Sequence, residues 1–248
     1  MKKKVMKKLL VVFIWLCIWQ FISYLTGLEL IIASPVKVFI SFFSLLKTQL
    51  FYICMINSFI KIILGFMIAF VTGIIIAAAA NQFQFIREFL SPLIYLMKAL
   101  PVASFIILLL IWAGSKNLSV VISSIVVFPM IYIGTMEGFN NLDTKILEMS
   151  EVFRMSWIKK IRYIYAPEIF PYIISNCKIA LGMCWKAGIS AEVIGLPSKS
   201  IGEQMYLSKL YLMTDELLAW SIAIIIVSVI FEKLFLIIFN GIRKGLEN

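Results

Sequence analysis

The sequence predicts an all-α membrane protein of about six transmembrane helices, with a charged loop between spans four and five. Three observations lead there. Of 248 residues, 62% are hydrophobic and 15% charged, with mean hydropathy +1.01; soluble domains average about 45–50% apolar and roughly 25% charged. So much apolar surface cannot close into one water-facing core, so lipid must be its solvent. The apolar residues gather into runs close to the ~20 residues a spanning helix requires. The basic residues stand mostly just outside those runs.

The first run, Leu9–Leu25, follows MKKKVMKK. A secretory signal peptide starts the same way, but no A-x-A-like site follows and apolar runs continue, so it is read as a retained first span. Ile56–Ala80 is the second. Val102–Ala113, entered after Pro101, is the third and shortest. Leu118–Ile133 with its continuation is the fourth, Tyr172–Ile194 the fifth and Leu217–Phe239 the sixth. Pro101 and Pro129 are expected to kink spans three and four.

Six crossings from an inside N-terminus leave both termini cytoplasmic. Outside the spans, fourteen Lys and Arg then lie on the inner side: Lys2, Lys3, Lys4, Lys7, Lys8, Arg87, Lys98, Lys145, Arg154, Lys159, Lys160, Arg162, Arg243 and Lys244. Five lie outside: Lys37, Lys47, Lys116, Lys199 and Lys209. That asymmetry satisfies the positive-inside rule, and the opposite topology would invert it. The net charge of +10 is therefore read as membrane orientation, not as a nucleic-acid footprint.

Cys17, Cys54, Cys177 and Cys184 all fall within apolar runs and form no C-x-x-C pair. They are expected as small buried side chains. The chain has no histidine, which removes the commonest metal ligand and general base.

The charged loop reads LDTKILEMSEVFRMSWIKKIRYIYAPEIFP, Leu142 to Pro171. Asp143 suits an N-cap, with Ile146, Met149 and Phe153 on one face of a first short helix. A second helix is expected from Ser156, with Trp157 or Ile158, Ile161, Ile164 and Tyr165 on one face and Lys159, Lys160 and Arg162 on the other. Pro167 and Pro171 bracket the entry to span five. This periodicity fits a helix pair lying on lipid headgroups and a protein-docking element equally well.

Spacing adds more. Glu148-Met-Ser-x-x-x-Arg154, nine residues, then Ile164-x-Ala166-Pro167 resembles the cytoplasmic loop of ATP-binding cassette (ABC) importer permeases. That loop reads Glu-Ala-Ala, three residues, Gly, nine residues, Ile-x-Leu-Pro. Met149 and Ser150 replace its alanines, Ala166 its Leu and Arg154 its Gly. A left-handed turn at Arg154 would cost about 1–2 kcal/mol, so either the turn is built differently or Arg154 has another role. Further anchors follow in order: Ser34-Pro35-x-x-Val38, Ser58-x-x-Lys61-x-x-x-Gly65-Phe66, Leu100-Pro101 through Trp112-x-Gly114, Phe128-Pro129, Gly138 with Asp143, Ala191-Glu192, and Asp215-Glu216. A second family proline is Ile107 here. Together they resemble the six-span permeases of the nitrate, sulfonate, taurine and bicarbonate importer group.

The resemblance implies one permease domain, residues 1–248, in a bacterial cytoplasmic (inner) membrane. It implies a second permease copy, separate ABC ATPase subunits and an extracytoplasmic solute-binding protein as partners, alongside the lipid bilayer and without nucleic acid. The loop at about 142–167 would be a coupling helix gripped by the ATPase, with Glu148, Ser150, Arg154, Trp157, Ile164 and Pro167 at or near the contact. The sequence has no G-x-x-x-x-G-K-[ST] phosphate cradle, so the chain is expected to be no enzyme and to carry no cofactor. ATP and Mg would belong to the partner.

Within the spans, Lys61 heads a stripe of small residues spaced by four: Gly65, Ala69, Gly73 and Ala77. Close helix packing is favoured over a solute path. In span five, Lys178, Lys186 and Glu192 are costly unless paired or wetted. Lys186 and Glu192 are separated by roughly 600° of helix rotation and so share no face. Lys178 and Glu192 stand where the family often carries charge, which suggests structural roles. Lys186 replaces an apolar family position and is the candidate for lining the path and attracting an anionic solute. All three are kept as candidate path residues. The stretch Gly195–Leu217, with Tyr206, Leu207, Leu210 and Tyr211 at helical spacing, is expected to hold an interfacial helix near the binding protein.

Two rival classes are weaker. A secondary transporter or channel often shows internal repeats, and none stands out. A membrane enzyme needs a catalytic cluster, and none is evident.

Overall fold

The computed structural model describes residues 2–27 and 32–247. Among them the chain forms eleven α-helices, one π-helical turn and no strand. In order these are α1 (Lys2–Thr26), α2 (Pro35–Leu45), α3 (Gln49–Gln82), α4 (Gln84–Ala99), α5 (Val102–Ala113), α6 (Leu118–Asn140), α7 (Thr144–Val152) and α8 (Trp157–Lys160). The π turn Ile161–Tyr165 follows, then α9 (Ala166–Gly195), α10 (Ile201–Leu210) and α11 (Thr214–Glu247).

Among the described residues, three helices are long and apolar enough to cross a bilayer: α3, α6 and Thr214–Gly241 of α11. A fourth is reached if α4 and α5 count as one bent span. The expected third span is therefore a 12-residue helix joined to α4 through a 107° bend. Pro101 explains the bend. It pushes Leu100 to an extended φ of −75° and ψ of 136°, which ends α4. The fifth expected span lies within α9, which has 30 residues but carries Asn176, Lys178 and Lys186 along its length. The apolar part of α1 is short, Leu10–Thr26.

The core is a three-helix stack in which α6 packs against both α3 and α9. Gly65, Ala69, Gly73 and Ala77 are all buried on α3. A Cβ on Gly65 would stand 2.5 Å from the Val120 carbonyl oxygen and 2.7 Å from Ser123 Cβ. This close approach lets Ser124 Oγ donate to the Gly65 carbonyl at 2.9 Å. Gly188 of α9 meets the same crossing, where a Cβ would stand 2.6 Å from Ile62 Cγ1. Cys54, Cys177 and Cys184 are buried nearby, whereas Cys17 is exposed on α1.

A run of edge-to-face and stacked rings (Phe66 and Phe70 with Phe231, Phe235 and Phe239) packs α11 against α3. Such pairs add about 0.5–1.5 kcal/mol each beyond their buried area.

The entry to span five, which Pro167 and Pro171 bracket, carries no break. From Trp157 to Gly195 the backbone is helical without interruption: Lys160, Ile161, Tyr165 and Ala166 are all right-handed. Pro167 explains the wide turn. A proline has no N–H, and its ring clashes with the carbonyl four residues back, here that of Tyr163. Widening relieves the crowding, and the Ala166 N–H donates to the Ile161 carbonyl, five residues back.

Candidate functional site

The charged segment is built from its caps inward. Asp143 accepts from the Lys145 N–H at 2.9 Å and starts α7. Ser150 is fully buried, and its Oγ donates to the Leu147 carbonyl at 2.6 Å. Two backbone bonds close the helix: Arg154 N–H to the Glu151 carbonyl and Met155 N–H to the Ser150 carbonyl, each 2.9 Å. These are the paired bonds of a Schellman cap. Its left-handed position is held by Arg154, at φ +45°. The turn thus keeps the geometry that favours glycine and carries an arginine in it.

The expected apolar face of α7 is turned largely outward. Ile146 is half-buried, but Met149, Val152 and Phe153 are exposed, the last two at 79% and 73%. Trp157 and Ile158 are exposed too, as are Glu148, Glu151 and Arg154. The second expected face also divides. Ile164 is buried and Tyr165 half-buried, while Ile158 and Ile161 are exposed. The π turn breaks the 3.6-residue period on which that face was drawn. Pro167 is half-buried in the first turn of α9.

On α9, Lys178 and Lys186 come to one exposed face together with Ser175, Gly182 and Ser190. A Cβ on Gly182 would meet nothing within 4 Å. Glu192 does not join them. It is fully buried and turned into the α3–α6–α9 core. There Ser58 Oγ donates to Glu192 Oε2 at 2.7 Å, Ser119 Oγ to Oε1 at 3.2 Å, and the Gly202 N–H to Oε2 at 3.2 Å. Ser58 Oγ in turn accepts from the Ile201 N–H at 3.0 Å. One carboxyl group therefore clamps three long helices to the N-terminus of α10. Gly202 permits this: a Cβ there would lie 2.3 Å from Glu192 Cβ.

Sequence reasoning quoted Ser58 but missed Ser119 and Gly202 as its companions. The available signal was a hydroxyl in an apolar span, which needs a partner when buried.

The helices define a multi-pass membrane protein. The chain belongs to the family of binding-protein-dependent transport system inner membrane components, whose profile matches residues 69–247. It is 24% identical, over 86% of its length and 78% of the relative's, to a Bacillus subtilis protein named as the aliphatic sulfonates transport permease SsuC. It is 24% identical to the nitrate import permease NrtB of Synechococcus elongatus, over 73% of this chain and 68% of that one. A Haemophilus influenzae protein named as an ABC transporter permease is 25% identical over 92% of each chain. The importer-permease resemblance drawn from the loop and its flanking anchors is thus upheld, and these relatives are named as transport permeases.

Proposed function

We propose that this chain is the membrane permease of an ATP-driven importer, a single domain spanning residues 1–248. It crosses the membrane six times, keeps both termini in the cytoplasm and works as a pair of copies. In this reading α1, the bent α4–α5 pair and α9 complete the spans that α3, α6 and α11 begin. ATP and Mg act on a separate ATPase, and an extracytoplasmic binding protein delivers the solute.

The observation that carries the reading is the outward apolar patch on the charged segment. Met149, Val152 and Phe153 are exposed on the charged stretch between α6 and α9. Exposed apolar groups beside charges mark an interaction surface. The patch is tied by one turn to the continuous helix from Trp157 to Gly195. Displacement of the patch by a closing ATPase would therefore move α9 directly. Glu148 and Arg154 supply polar contacts at its edge, Trp157 marks its membrane side, and Ser150, Ile164 and Pro167 hold its shape from beneath.

The exposed α9 face with Lys178 and Lys186 faces the second copy and the solute path. Its charge suits an anion, as the sulfonate and nitrate names of two relatives suggest. Glu192 is assigned to structure. The test is to purify the chain with its ATPase, then repeat with Met149→Asp/Phe153→Asp. Loss of co-purification and of ATP-dependent uptake is expected. Uptake driven by an ion gradient without any ATPase would replace this reading with that of a secondary transporter. Separately, Lys186→Met should lower uptake of an anionic solute, and unchanged uptake and specificity would remove Lys186 from the path.

A further inference from the structure

A cavity of about 330 Å³ lies between α4 and α6, and its lining comes from those two helices alone. That volume is at the small end of the ~300–1,000 Å³ typical of ligand sites. On α4 the lining residues Arg87, Ser91, Tyr95 and Lys98 recur at i, i+4, i+8 and i+11, so they share one face. Tyr132, Glu137 and Asn140 line it from α6. An apolar cluster of Ile94, Tyr132 and Met136 with Ala77 and Ala80 of α3 pins α4 beside α6.

Tyr132 is only 7% exposed. Its ring stacks on Phe128, and its hydroxyl has no hydrogen-bond partner among the described residues. A buried hydroxyl ordinarily has one. The charge of Arg87 acts on that phenol. Arg87 is the fourth residue of α4, where the helix dipole repels a cation, so the helix itself gives no reason for it. Among the described residues neither Arg87 nor Lys98 pairs with a carboxylate. Two cations against the one carboxylate of Glu137 leave the lining positive. The Cα atoms of Arg87 and Lys98 are about 16 Å apart along the helix, yet both side chains line the cavity, so they approach it from opposite ends.

We propose that this cavity binds a small organic oxyanion, a phosphate or sulfonate compound that also carries a hydroxyl or amino group. Arg87 and the Tyr132 hydroxyl donate to the oxyanion, and a guanidinium fork suits such a group. Lys98 adds charge from the other end, and Glu137 and Asn140 accept from the ligand's own donor. The positive-inside count turns these parts of α4 and α6 to the cytoplasm. That sidedness rests on the topology proposed above; the binding does not. An occupant would fasten the bent α4–α5 pair to α6.

The full chain, purified in neutral detergent without ATPase, is dialysed to equilibrium against radiolabelled glycerol 3-phosphate. Saturable binding is expected, and its absence overturns the proposal whatever becomes of the importer reading. Arg87→Gln should weaken binding about tenfold, and Arg87→Gln/Lys98→Gln should abolish it. Both positions are exposed, so the variants should fold as the parent does. Tyr132→Phe keeps the ring on Phe128 and removes only the hydroxyl; binding should fall severalfold. Lys159→Gln/Lys160→Gln removes equal charge elsewhere and should leave binding unchanged. Parental affinity in the Arg87/Lys98 double variant, or an equal loss in the Lys159/Lys160 one, would overturn the proposal. So would displacement by sodium chloride as strong as that by unlabelled glycerol 3-phosphate at matched ionic strength. Dispersed phosphatidylglycerol carries the same phosphate and hydroxyl chemistry and forms the second competing arm. Competition by either compound upholds the site, and the stronger competitor names a soluble or a lipid source.

Discussion

The two ends of α9 solve opposite problems. At the Glu192 end every polar atom of the clamp is buried and partnered: one carboxyl group accepts from two serines and a backbone amide while Ser58 also accepts from Ile201. At the other end the charged segment leaves Met149, Val152 and Phe153 in the open and holds an arginine in a left-handed turn. Burial makes the first end intolerant of change, because each orphaned donor in low dielectric costs about 1–3 kcal/mol. Exposure makes the second end cheap to alter in the free chain. The contrast separates a fixed anchor from the surface proposed to meet a partner.

That contrast breaks most visibly at Glu192. Glu192→Ala strands three donors at once and should destabilise the folded chain by about 3–5 kcal/mol. Glu192→Gln, which keeps an acceptor, should cost clearly less. Thermal unfolding in detergent measures both, and an alanine variant as stable as the parent would mean the clamp contributes nothing. Next comes Gly202→Ala. Its Cβ would meet Glu192 backbone and Cβ atoms, so a loss of roughly 1–3 kcal/mol is expected.

The smallest effects belong to the charged segment. Arg154→Gly relieves the left-handed turn and should raise stability by about 1 kcal/mol, offset partly by the greater chain freedom of glycine when unfolded. A drop in melting temperature would show that the arginine side chain makes a compensating contact. Met149→Asp/Phe153→Asp should leave the stability of the isolated chain within about 0.5 kcal/mol of the parent while abolishing ATPase binding. Strong destabilisation by that pair would mean the patch is core, and the contrast between the two ends would fail.

Much of the architecture was legible because long apolar runs and spanning helices are the same fact seen twice. The runs marked α3, α6 and α11, the three helices long and apolar enough to span among the described residues, and the run Tyr172–Ile194 fell within α9; Pro101 marked the bend between α4 and α5. Two helices were overlooked although their signals were present. Ser34 before Pro35 is an N-cap followed by a first-turn proline, and α2 starts there. The amphipathic run from Gln84 forms α4. The π turn escaped because a period drawn at 3.6 residues continues straight through a five-residue ring. The Glu192 clamp escaped for a different reason. Ser119 is 73 positions from its acceptor and Ser58 is 134, so only tertiary packing pairs them. The backbone at Arg154 was foreseeable only through the glycine that the family carries there.

Pro167 carries a mechanical consequence. Tightening the wide ring to ordinary α geometry would rotate everything before it by roughly 100° against α9 and shift it axially by about 1.5 Å. The pyrrolidine forbids that tightening. A single imino acid thus acts as a keyway, fixing the angular phase at which any push on the loop would reach α9.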